Sequence, residues 1–190
     1  MAPALRHSDP WTIGATVLAV GFLVVMVVVG ALPQQRQLVK FEAKGVMQLP
    51  PERISSVALR AGERSAVFTR TPDGGWARDG GAALDPAVAK RLSLAVQFMN
   101  TSGPVRVLEP AELQGTNPHE FGLDHPQLSI ALFEGTHPVI AAHFGGRNPD
   151  DYLQYVAVEG KRELFLLSRF VGQEWDAVAK ATLQPAKPQP

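Results

Sequence analysis

The stretch WTIGATVLAVGFLVVMVVVGALP, Trp11 to Pro33, holds no charged residue. At ~1.5 Å rise per residue, about 23 residues in a helix span roughly 34 Å, enough to cross a ~30 Å hydrocarbon core. Helices buried in a soluble domain of this size are rarely so long or so apolar on every side. Gly14, Gly21 and Gly30 are tolerated in lipid more readily than in water, and Trp11 suits the headgroup level. The reading is a single-pass transmembrane helix over 11–33, in contact with membrane lipid. A cleaved signal peptide is the rival, with Val29-Gly30-Ala31 as a small-residue cleavage site. The run is longer than a signal h-region, and the leading tail MAPALRHSDP (1–10) is barely basic. An uncleaved anchor is therefore the better reading.

Charge gives a mixed orientation signal. Arg36, Lys40 and Lys44 follow the span, so the positive-inside rule taken alone keeps the large domain in the cytoplasm. Glu42 sits among those cations, and long domains translocate largely regardless of charge. The chain has no cysteine, which excludes disulfides, thiolate metal sites and a cysteine nucleophile. Its 18 basic and 18 acidic residues balance. A nucleic-acid binder would show a basic excess or stripe, so no nucleic-acid partner is predicted.

Residues 34–52 read as a polar connector ending in Pro50-Pro51. A domain follows over 53–182. ISSVALR (54–60) alternates, with Ile54, Val57 and Leu59 inward; Ala61-Gly62 turns the chain; SAVFTR (65–70) returns. Trp76 follows a Gly-rich turn onto a short third strand and covers a core edge. In LDPAVAKRLSLAVQFMN, Asp85 can cap, Pro86 fits the first helical position, and Val88, Leu92, Val96 and Met99 recur at helical spacing. PVRVLE (104–109) reads as a strand. QLSIALFE (127–134) and VIAAHF (139–144) form a pair around GTHP, with GGRNPDD (145–151) as a longer loop. YLQYVAV and ELFLLS form a second hairpin, and Ser168 caps a last helix with Val171, Trp175 and Val178 inward. The tail 183–190 is Pro-rich and predicted disordered. Runs of neighbouring antiparallel strands with segregated helices predict an α+β fold: a mainly antiparallel sheet packed by two helices.

FGLDHP (121–126) is the most distinctive word. Asn117-Pro118 can start one helical turn through Phe121, and Gly122 can end it in a left-handed conformation. Leu123 then turns back to the core, Asp124 can accept a nearby backbone N–H, and Pro126 leads into the strand. Gly122, Leu123, Asp124 and Pro126 are thus read as a structural motif with no chemistry of their own.

The pieces ISSVAL, VFTRTPDGGW, the helix after LDPAVAKRL, FGLDHPQLSIAL, the glycine of HFGG, LQYVAV and ELFLLS before a last helix carry a resemblance. Together, over about 53–178, the chain resembles the bacterial family catalogued as domain of unknown function 4340. The resemblance implies a domain anchored on the outer, periplasmic side of a bacterial inner membrane. Some relatives accompany ABC-type export systems, including those linked to gliding motility. No catalytic residues are established for that family, so none is implied here.

Candidate chemistry is sparse. His119, His125, His137 and His143 are close in sequence but match no metal-ligand spacing, and no metal or other cofactor is predicted. Asp124, Asp150 and Asp151 could supply an acid–base pair only if their environments differed. No serine sits in a G-x-S-x-G elbow. The strongest ligand candidate is Gly145, Gly146 and Arg147: two glycines exposing amides beside a guanidinium that could hold a carboxylate or phosphate. The functional expectation is a non-enzymatic accessory or scaffold subunit of a membrane complex, acting through contacts with other subunits. The alternatives are a tethered module for a small anionic ligand and, third, a metal-dependent hydrolase.

Overall fold

The computed structural model describes residues 10–31 and 43–183. The chain divides into two units, Met1–Phe41 and Glu42–Pro190. In the first, helix α1 runs Pro10–Ala31, 22 residues with no charge in either terminal turn. Its described side chains, among them Trp11, Leu18, Phe22 and Met26, are exposed. Among the described residues no helix is long and apolar enough to cross a membrane. The predicted span 11–33 runs past α1 at its carboxyl end; the tail 1–9, residues 32–42 and 184–190 lie outside the described residues.

The second unit is α+β, as the alternation of patterns predicts. Its strands are β1 (Ser56–Ala61), β2 (Arg64–Arg70), β3 (Trp76–Arg78), β4 (Arg106–Leu108), β5 (Leu128–Glu134), β6 (His137–Arg147), β7 (Leu153–Val158) and β8 (Leu164–Ser168). They form one eight-stranded sheet in the order β3-β2-β1-β5-β6-β7-β8-β4, and every pairing is antiparallel. Two helices, α2 (Pro86–Thr101) and α3 (Arg169–Leu183), cover one face. They run antiparallel across the strands: Arg91 faces Glu174 at 3.8 Å, and Phe98 meets Phe170 edge-on at 4.9 Å between ring centres. The chain passes from edge strand β3 through α2 to the opposite edge, β4. Both edges are three residues long, which leaves little unpaired backbone for another strand to extend.

Local chemistry explains these elements. Asp85 caps α2 by accepting from the amides of Ala87 (2.8 Å) and Val88 (3.4 Å), and Pro86 opens the helix where no N–H is needed. Leu92, Ala95, Val96 and Met99 are its buried stripe; Val171, Trp175, Val178 and Ala179 are that of α3. They pack on Val57, Leu59, Phe68, Ile130, Leu132, Ala142, Phe144 and Val156 from alternate positions of the central strands. Trp76 is buried at the edge of this core, donates to Ser93 Oγ at 2.9 Å, and lies under the Arg70 guanidinium at 4.5 Å.

Three features differ from the sequence reading. Residues 43–52, assigned there to the connector, belong to the domain. The amides of Gly45 and Met47 donate to the carbonyls of Asn100 and Met99, Met47 is buried, and Asn100 donates back to the carbonyls of Met47 and Leu49. Secondly, Gly145–Arg147 are not loop: β6 continues through them with an irregular register between Phe144 and Arg147, and Arg147 pairs with Gln154. Thirdly, the strand predicted at 104–109 shrinks to Arg106–Leu108: Pro104 has no N–H to donate, and the Glu109 amide donates to the Glu112 carboxylate at 3.0 Å.

The far face of the sheet is split in two. Over β7 and β8 it is roofed by the connector that joins β4 to β5. Leu164 and Leu166 point away from the helices and are nonetheless buried. The Phe121 ring lies 5.0 Å from that of Tyr155. Over β1, β2, β5 and the part of β6 before Gly145, no helix or connector lies on it among the described residues; at Gly145 the connector reaches β6.

Candidate functional site

The two segments singled out in the sequence meet. Asn117 accepts from the His119 amide at 3.0 Å and starts a 3₁₀ turn, Pro118–Phe121. Gly122 ends it at φ 65°, left-handed as the sequence predicts. Leu123 turns inward beneath the connector, half-buried beside Gly145. Asp124 is exposed and makes no side-chain hydrogen bond among the described residues, so its predicted turn-capping role is not seen. Pro126 leads into β5, which starts at Leu128.

The reason for the glycines is backbone contact between the two segments. A Cβ on Gly145 would stand 2.2 Å from the carbonyl oxygen of Phe121, and one on Gly122 would stand 2.8 Å from the amide of Gly146. Gly146 has more room: its nearest neighbour would be the same Phe121 oxygen at 3.5 Å. Gln154 closes the junction by donating to the Gly145 carbonyl at 3.0 Å. Gly145 therefore serves close packing, and its carbonyl is engaged by Gln154.

The junction floors a cleft of about 330 Å³ lined by Gly122, Asp124, His125, Arg147, Gln154 and Asp176, among others. Arg147 Nη1 donates to Asp151 at 2.9 Å, and Arg169 binds the other oxygen of the same carboxylate. The hydrogen bond from Arg147 leads in holding the Asp151 carboxyl below the usual aspartate range; desolvation opposes it, and the charges of Arg147 and Arg169 add to it. Asp151 sits at φ 61°, the one non-glycine residue with positive φ among those described, a conformation that aspartate tolerates. Asn148 fixes the loop by accepting from the amides of Tyr152 and Leu153. An anion arriving at Arg147 has to compete with Asp151, and Asp124 and Asp176 line the same cleft.

The remaining sequence candidates are not gathered into one site. His119 and Asp150 are exposed, and among the described residues no group of three or more His, Asp or Glu is placed to hold a metal ion. His137 is exposed at the start of β6. His143 lies on the helix-free face between Ser129 and Glu159, a grouping that the sequence reading missed. Its Nδ1 is 2.9 Å from Ser129 Oγ and its Nε2 is 3.1 Å from Glu159 Oε1. Strand parity places Ser129 and His143 on one face; only the register that makes them neighbours brings them together.

Ser56, Arg60, Ser65 and Thr69 share that helix-free face by strand parity, and a short apolar row runs between them. Ala58, Ala131 and Ala141 form one cross-strand row, and Val67 extends it as the register partner of Ala58, 41 % exposed. No protein-family model, curated protein or solved structure matches this chain.

Proposed function

We propose that this chain is a non-enzymatic, single-pass accessory or scaffold subunit of a bacterial envelope complex, of a transporter type. Its domain stands on the periplasmic side of the inner membrane and docks other subunits through the helix-free half of the sheet. One observation carries the docking reading: both helices of the domain cover the same face of an eight-stranded sheet, leaving the row Val67, Ala58, Ala131 and Ala141 without a covering layer among the described residues. Sheets bury an apolar face against something, and small side chains let a partner's backbone approach closely. The anchor reading rests on the uncharged stretch 11–33. The likeness of FGLDHPQLSIAL and its neighbouring pieces to domain of unknown function 4340 favours the outer side of the membrane.

The alternative, a tethered module for a small anion, draws on Arg147 and His125 sharing one cleft. The carboxylates already in and beside that cleft weigh against it.

Site-specific photocrosslinkers at Val67 and Ala131, in the full chain in its native membranes, test the docking reading. Defined crosslinks to one membrane-complex subunit support it, with none from a probe at Gly115 in the connector. Equal, diffuse crosslinking from all three positions contradicts it.

A further inference from the structure

We propose that Ser129, His143 and Glu159 form a nucleophilic serine site on the helix-free face, suited to short uncharged acyl esters. This replaces the non-enzymatic part of the reading above with an activity on the same open face, and it does not depend on the anchor. The Glu159 carboxylate can only accept, so it selects the imidazole tautomer with hydrogen on Nε2. The lone pair of Nδ1 then faces the Ser129 hydroxyl at 2.9 Å. A nucleophile within reach of a base, itself oriented by a third group, is the arrangement that activates serine.

The sheet holds the three groups in place. Ser129 and His143 are register partners on β5 and β6. Glu159 follows β7, and its amide is tied to the Ala141 carbonyl at 2.9 Å. The site is open: the His143 side chain is 33 % exposed and that of Glu159 65 %. Arg60, on β1, is the other register partner of Ser129; it is exposed and has no hydrogen bond or ion pair among the described residues. Strand amides here are committed to the sheet ladder, so Arg60 is the charge available to a developing oxyanion. The alanine row beside Ser129 provides a shallow apolar floor for a short acyl chain, while the leaving group faces solvent.

The chemistry is acyl transfer to water. Ser129 Oγ attacks the carbonyl carbon as its proton passes to His143 Nδ1. The tetrahedral intermediate collapses, the ester C–O bond breaks, and the alcohol leaves with that proton. Water, deprotonated by the same nitrogen, attacks the acyl-serine; the C–Oγ bond breaks, the acid departs and Ser129 regains its proton.

The test treats the full chain in detergent micelles with an alkyl fluorophosphonate and locates the adduct by peptide mass. The expected result is modification of Ser129. Glu159→Gln and His143→Gln each slow it, the latter about a hundredfold, the scale of a lost general base. Arg60→Gln slows it less. Circular dichroism shows whether each variant is folded; Glu159, at the surface, is the variant that survives if His143→Gln does not. Ser129 left unmodified in the wild type overturns the proposal. So does modification at an unchanged rate in a folded Glu159→Gln or His143→Gln variant, the result expected if the three groups only tie strands together.

Discussion

A single methyl group separates two adjacent glycines. At Gly145 it would collide with the Phe121 carbonyl, part of a backbone that cannot swing aside; at Gly146 it would meet only ordinary contact. Gly145→Ala should therefore destabilise the domain by about 1–3 kcal/mol, as overpacking does, with Gly146→Ala well below that. Urea unfolding of the two variants checks the contrast, and equal losses would show that the junction is not set by this contact. Asp151 gives a second residue-level prediction. Its carboxyl is held below the ordinary aspartate value, so the charged form is favoured in the fold. The stabilisation is complete above that ordinary value, about pH 4, and is lost as pH falls through the lower folded value. Melting temperature should fall more steeply below pH 4 in the wild type than in Asp151→Asn.

The elements show which features pattern can reveal. β1, β2 and the stripe of α2 were legible because burial of alternate or helically spaced side chains leaves a period in the sequence. The turn at Gly122 was legible because Asn-Pro, one helical turn and glycine is a local code. The connector between β4 and β5 was not: its apolar residues Leu113, Phe121 and Leu123 have no period, and their neighbours Tyr155 and Leu164 are distant in sequence. Asn100 was missed for the same reason, since its two acceptors lie on a segment that reads as linker. Ser129 and His143 share a face by parity, but their contact depends on a register shift between Leu132 and Phe133 that sequence does not announce. The connector yields its own prediction. Phe121→Ala should cost about 2–3 kcal/mol or less, given its half-exposed ring. Hydrogen exchange should quicken in residues 113–123 while β1 and β5 keep their protection; uniform quickening would mean that the roof and the main core open as one.

Taken whole, the molecule pairs a charge-free helix with an α+β domain whose sheet is covered on one face and half-covered on the other. A subunit that works by docking needs its open surface held beside its partners, which is what an anchor supplies. The docking half of the proposed function therefore depends on residues 11–33 lying in the bilayer. Alkaline carbonate extraction of native membranes, followed by intact mass of the recovered chain, measures this directly. The account predicts the uncut chain, beginning at its own amino terminus, in the carbonate-resistant pellet. A freely soluble species beginning at Leu32 would contradict it.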